Sequence, residues 1–133
     1  MKVLIVDDNG PTRTLAKDIL AAGWNVDVRE CSDGRAALQE LGWRPDLVLV
    51  DYEMRPMDGA AFTRLLRAGG TGADPRTPVI MMTGHADREH VLKARQAGVD
   101  GLVVKPLSIR SMLERVQAVL ARPRDTVVVE AAS

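Results

Sequence analysis

The stretch LVLVDYEMRPMDG, Leu47 to Gly59, reads as one half of a repeating α/β unit. Leu47 to Val50 is an uninterrupted apolar run, as expected of a strand buried on both faces. Asp51 follows it, and Asp58-Gly59 then opens a helix. Asp suits the cap of that helix, and Phe62, Leu65 and Leu66 follow at helical spacing with their side chains expected inward. A buried strand with a carboxylate at its carboxyl end, a loop and a helix make the half-unit of a parallel sheet.

The same pattern extends in both directions. Apolar runs recur at Val3 to Val6, Val79 to Met82 and Leu102 to Val104, and these too read as strands buried on both faces. Val26 to Glu30 alternates apolar and charged residues, as an edge strand does. A first helix opens at Gly10-Pro11 and closes at Gly23, with Leu15, Ile19 and Leu20 inward. A second follows Asp33-Gly34, with Ala37, Leu38 and Leu41 inward. A fourth is capped by Asp87 and ends near Gly98. A fifth starts at Ser108 and carries Ile109, Met112, Leu113, Val116, Val119 and Leu120 on one stripe. Strict alternation of strand and helix predicts a doubly wound parallel sheet of five strands, with five helices over both faces and right-handed crossovers. Gly69 to Pro78 reads as a loop. One domain is expected over residues 1–122, followed by a short tail over residues 123–133 in which Thr126 to Val129 is β-prone.

Composition narrows the function. The 133 residues carry 18 Lys+Arg and 18 Asp+Glu, so no basic excess draws the chain to nucleic acid or anionic lipid. A single cysteine, Cys31, excludes an internal disulfide and a cysteine zinc site, and fits a reducing, cytoplasmic setting. Cys31 is expected to be a small buried residue, Trp24 and Trp43 to pack at loop edges, and His90 to be an exposed helix residue. The N-terminal apolar run meets Asp7 too soon to form a signal-peptide core or a spanning segment.

In open α/β sheets functional groups collect at the carboxyl ends of the strands. Here those ends are Asp7-Asp8, Asp51, Thr83-Gly84 and Lys105-Pro106. Any one of these residues would suit a turn or a cap; their arrival together at consecutive strand ends points to a site. Carboxylates about 5 Å apart repel by roughly 3 kcal/mol per pair at an effective dielectric of about 20. Protonation, Lys105 or a hard divalent cation would relieve that repulsion. With oxygen ligands and no cysteine or histidine cluster, magnesium is the first choice.

Asp7-Asp8, Asp51, Thr83 and Lys105-Pro106, with Val6-Asp7-Asp8-Asn9, the Ser32-Asp33-Gly34 turn and Met54 to Gly59, resemble the shared set of response-regulator receiver domains over roughly Lys2 to Arg122. The resemblance implies a flavodoxin-like sheet of order 2-1-3-4-5. It implies Asp51 as acceptor of a phosphoryl group from a sensor histidine kinase or a histidine phosphotransfer protein. Mg²⁺ would sit on Asp8, Asp51 and the backbone carbonyl of Glu53, with Asp7 assisting through water. Lys105 would pair with Asp51 or its phosphoryl oxygens, Thr83 would hydrogen-bond one of those oxygens, and the Lys105-Pro106 bond would be cis. Such a protein is a switch and not a turnover enzyme. Its kinase would dock near the active face and its downstream target on the fourth helix, fifth strand and fifth helix, and a homodimer is possible.

Three features depart from the pattern. Leu102 stands where receivers usually carry an aromatic that swings inward, and is expected to pack simply as a strand residue. Met54-Arg55-Pro56 places the proline one position late. Glu53 and His85 occupy the two variable positions that influence phosphoryl lifetime in receivers, with His85 expected in solvent. Other readings of the same residues are a magnesium-dependent phosphohydrolase of haloacid-dehalogenase type, for which Glu53 stands where a second Asp belongs, and a flavin-binding domain, which Asp7-Asp8 would disfavour by repelling a phosphate. A phosphorylation-independent scaffold is the third.

Overall fold

The computed structural model describes residues 1–122; the expected tail and its Thr126 to Val129 run lie outside the described residues. The strands are β1 (Lys2–Val6), β2 (Asp27–Cys31), β3 (Leu47–Asp51), β4 (Val79–Thr83) and β5 (Gly101–Val104). The helices are α1 (Gly10–Gly23), α2 (Gly34–Glu40), α3 (Gly59–Ala68), α4 (Arg88–Ala97) and α5 (Ile109–Ala121), with a short 3-10 turn at Leu41–Trp43. All four strand pairings are parallel and the order is β2-β1-β3-β4-β5, as expected.

Helix starts follow the local chemistry. Side chains of Asn9, Asp33, Asp58, Asp87 and Ser108 each accept a hydrogen bond from the backbone N–H three residues on, in α1 to α5 respectively. Each satisfies one donor that the first turn leaves open.

Side chains alternate across the sheet. Val3, Ile5, Leu47, Leu49, Ile80 and Met82 pack with Ala16, Ile19 and Leu20 of α1 and with Met112, Val116 and Val119 of α5. Leu4, Val6, Val48, Val50 and Val79 pack on the other face with Ala37, Leu41, Phe62 and Leu66.

Three residues expected inward are exposed: Leu15 at 42%, Leu65 at 44% and Ile109 at 60%. The buried stripe of α1 is centred on Ala16, Ile19 and Leu20, and that of α3 on Phe62, Thr63 and Leu66. The leucines therefore sit on the rims, while Ile109 begins its helix and faces out. β5 is also not buried on both faces. It closes the sheet with no further strand beside it among the described residues, so Leu102 is only partly covered and Val104 is 47% exposed.

At the pole opposite the carboxyl ends, Arg67 of α3 binds several elements at once. Its guanidinium donates to the carbonyls of Gly98, Pro75 and Thr77 and to Asp100 Oδ2. Gly98 ends α4 at φ 97°, the left-handed conformation that glycine adopts without strain.

Candidate phosphoacceptor site

Strand register brings the acidic residues level. Val6 of β1 lies opposite Val50 of β3, so Asp7 and Asp51 leave the sheet in step on neighbouring strands. This is the place where strand order reverses. Thr83 of β4 aligns with Val104 of β5, and Lys105 follows directly.

Oxygens of Asp7, Asp8 and Asp51 all lie within 4.8 Å of one another. Asp7 and Asp51 are buried, whereas Asp8 is exposed at the mouth. Lys105 Nζ stands 2.9 Å from Asp7 Oδ2 and 3.1 Å from Asp51 Oδ1, one ammonium shared by two buried carboxylates. Burial first, and then the charge of Asp7, push the Asp51 carboxyl up to about 6, with Lys105 pulling the other way. Burial alone would lower Lys105, but its bonds to Asp7 and the charge of Asp51 outweigh it and hold Lys105 above its ordinary value. Three acids facing one lysine leave room for positive charge, and oxygen donors alone suit a hard divalent cation.

Further contacts fix the acids. Asn9 N–H donates to Asp7 Oδ1 at 2.9 Å. Arg13, itself paired with Glu30, donates to the Asp7 carbonyl at 2.6 Å. Gly59 packs so closely under Asp51 that a Cβ there would lie 2.4 Å from the Asp51 carbonyl oxygen. Only glycine fits at that point. Thr83 is fully buried, and its hydroxyl lies 2.9 Å from Glu53 Oε1 and 3.1 Å from the His85 carbonyl, with His85 N–H donating back to it. An open cleft of about 430 Å³, lined by Asp8, Tyr52, Glu53, Met54, Arg55 and Asp58, leads to the carboxylates.

The expected site residues Asp7, Asp8, Asp51, Glu53, Thr83 and Lys105 thus lie together at the carboxyl end of the sheet. The Lys105-Pro106 bond is cis as expected, and Arg55-Pro56 is cis as well. Cys31 is buried as expected, and burial, with Glu40 and Asp33, pushes its thiol up to about 11, which disfavours the thiolate near neutral pH. His90 departs from expectation. It is half-buried, with its ring edge-on to Tyr52 and stacked on His85, each pair at 5.2 Å between centroids. A histidine on a polar helix face gives no sequence signal of such a contact.

A model of the response regulator receiver domain matches residues 3–117. The chain belongs to this receiver family. The receiver is 35% identical over 126 residues to the chemotaxis protein CheY of Pseudomonas aeruginosa, covering 92% of this chain and 98% of that protein. It is also 35% identical to the DNA-binding response regulator MtrA of Mycolicibacterium smegmatis, but spans only 52% of that longer protein. Among solved structures, chemotaxis protein CheY4 of Vibrio cholerae superposes with a TM-score of 0.77 at 31% identity, over 89% of this chain and 97% of that one.

Proposed function

We propose that this chain is a stand-alone response regulator that accepts a phosphoryl group on Asp51 and signals through altered protein contacts. The observation that carries the reading is the buried Asp51 carboxylate held 3.1 Å from Lys105 and within 4.8 Å of two further acids. The near end-to-end similarity to CheY supports a receiver acting alone over residues 1–122.

In the reaction, an Asp51 oxygen attacks the phosphorus of a phosphohistidine on a sensor kinase or phosphotransfer protein. The O–P bond forms as the P–N bond breaks, and the imidazole leaves with that electron pair and takes up a proton from solvent. Lys105 neutralises charge on the acceptor, and the Thr83 hydroxyl turns to donate to a phosphoryl oxygen. The cation we assign to Asp7, Asp8, Asp51 and the Glu53 backbone carbonyl is Mg²⁺, which supplies the positive charge that three acids and an incoming phosphate require. Catalysis is positioning and neutralisation, so the protein serves its own modification and turns over no substrate.

A groove of about 460 Å³ between β5 and α5, lined by Leu102, Val104, Ser111 and Arg115 among others, favours the α4-β5-α5 face for a downstream protein target or a second copy. No helix among the described residues is long and apolar enough to cross a membrane. With the free Cys31, we place the protein in the cytoplasm.

The deciding experiment is phosphotransfer from a panel of histidine kinases in Mg²⁺, with Asp51→Asn as control. Alkali-labile, hydroxylamine-sensitive label in the wild type and none in Asp51→Asn is the expected result. Equal labelling of both proteins overturns the reading.

A further inference from the structure

We propose that the state of the site reaches α4 through a histidine stack, His85 on His90, and not through Leu102. This rests on Asp51 being the phosphoacceptor.

Thr83 is tied to His85 in both directions, its hydroxyl accepting from the His85 N–H at 3.0 Å and lying 3.1 Å from the His85 carbonyl. Any turn of the Thr83 hydroxyl toward Asp51 therefore changes the backbone of His85. The His85 ring is stacked on His90 with 25° between planes. His90 belongs to the first turn of α4, and both its backbone N–H and its ring bond Asp87, the cap of that helix. A second input arrives from the other side, because Tyr52, the residue after Asp51, is buried and meets the His90 ring edge-on at 63°. His90 thus receives contacts from the end of β3, which carries the acceptor, and from the loop after the neighbouring β4.

Leu102 offers no comparable link. It is partly buried against the cluster of Tyr52, Ala60, Met81, Ala94 and Ala97, of which Ala94 and Ala97 lie in the later turns of α4. Its side chain has no polar group with which to follow the Thr83 hydroxyl. Two packed rings have discrete arrangements, and a shift of one requires the other to move, which is what a transmitting contact needs.

The test is amide NMR of the full chain in Mg²⁺, with and without beryllofluoride as the phosphoryl mimic. In the wild type, shifts are expected both at the site, at Asp51 and Thr83, and along α4. In His90→Leu the site shifts should persist while those over Arg88–Ala97 fall by about half or more. His90→Phe, which keeps a ring for both contacts, should restore them, and Leu102→Ala should leave them in place. The spectrum without beryllofluoride reports whether each variant is folded; should His90→Leu unfold, His85→Ala on its exposed loop carries the same comparison. Full α4 shifts in a folded His90→Leu protein, or their loss in Leu102→Ala, overturn the route while leaving Asp51 as acceptor. A wild type whose site amides ignore beryllofluoride overturns both.

Discussion

The Thr83 hydroxyl lies 2.9 Å from Glu53 Oε1, so the group assigned to greet the phosphoryl is already engaged by a carboxylate. That bond must break when Thr83 turns, and the Glu53 charge then faces an incoming anion. Glu53→Ala removes both obstacles. Labelling by acetyl phosphate in Mg²⁺ should quicken on the order of tenfold, or about 1.4 kcal/mol, the scale of one hydrogen bond to a charged group. Gel-shift time courses check this, and a slower variant would show that Glu53 assists.

Asp51 titrates near 6 when folded, above its ordinary 3.8. The folded state therefore holds this proton more tightly than the unfolded chain, and the contribution is fully present below the unfolded value. It is lost as pH rises through about 4 to 6. In EDTA, thermal stability should fall across that window, and Asp51→Asn should flatten the fall. A melt series at fixed ionic strength reads the slope, and a rise with pH in the wild type that depends on Asp51 would contradict it.

Mg²⁺ should stabilise the protein more at pH 7.5 than at pH 5, because protons and metal compete for the same oxygens. A concentration of ten times the dissociation constant gives about 1.4 kcal/mol. Asp8→Asn, which removes the exposed ligand, should shrink this shift while preserving or raising metal-free stability through relief of crowding. An unchanged Mg²⁺ shift in Asp8→Asn would remove Asp8 from the metal site.

Lys105→Ala leaves Asp7 and Asp51 buried without their shared ammonium. Near neutral pH and without metal, a loss of about 3 kcal/mol in urea unfolding is expected, the usual cost of stranding one side of a buried pair. The loss should be smaller at pH 5, where Asp51 is protonated. Some phosphoryl uptake should survive, since the nucleophile remains, whereas the response at Thr83 and α4 should weaken.

Gly59→Ala would force a Cβ to within 2.4 Å of the Asp51 carbonyl oxygen. The backbone must shift to admit it, at a cost of about 2 kcal/mol or more. Because the displaced atom belongs to the acceptor, phosphoryl uptake should fall along with stability. A variant destabilised yet labelled at the wild-type rate would show that the strain is absorbed in α3.

Much of this was legible in the sequence because it lies in local rules. Four apolar runs and one alternating run become the five strands, the capping residues open the helices, and the residues at the carboxyl ends of β1, β3, β4 and β5 meet as expected. Misplaced residues depend on how elements dock. Leu15 and Leu65 share the helical period of their buried neighbours, but Ala16 and Thr63 take the inward positions. Val104 is as apolar as Val103, yet at the sheet edge Val103 is buried with α5 while Val104 is left exposed. The contacts of Glu53, His85 and His90 join loops and a helix start, where side-chain direction has no period to betray it.

Arg67 has one more consequence. By gripping the Gly98 carbonyl at 2.9 Å and the loops around it, it pins the far end of α4, while the near end rests on aromatic rings beside the acceptor. The helix is thus mounted like a lever with its fulcrum at Gly98. A push at Asp87 emerges as a tilt that dies away along the helix, so a partner reading the angle of α4 near its first turn would feel the largest stroke.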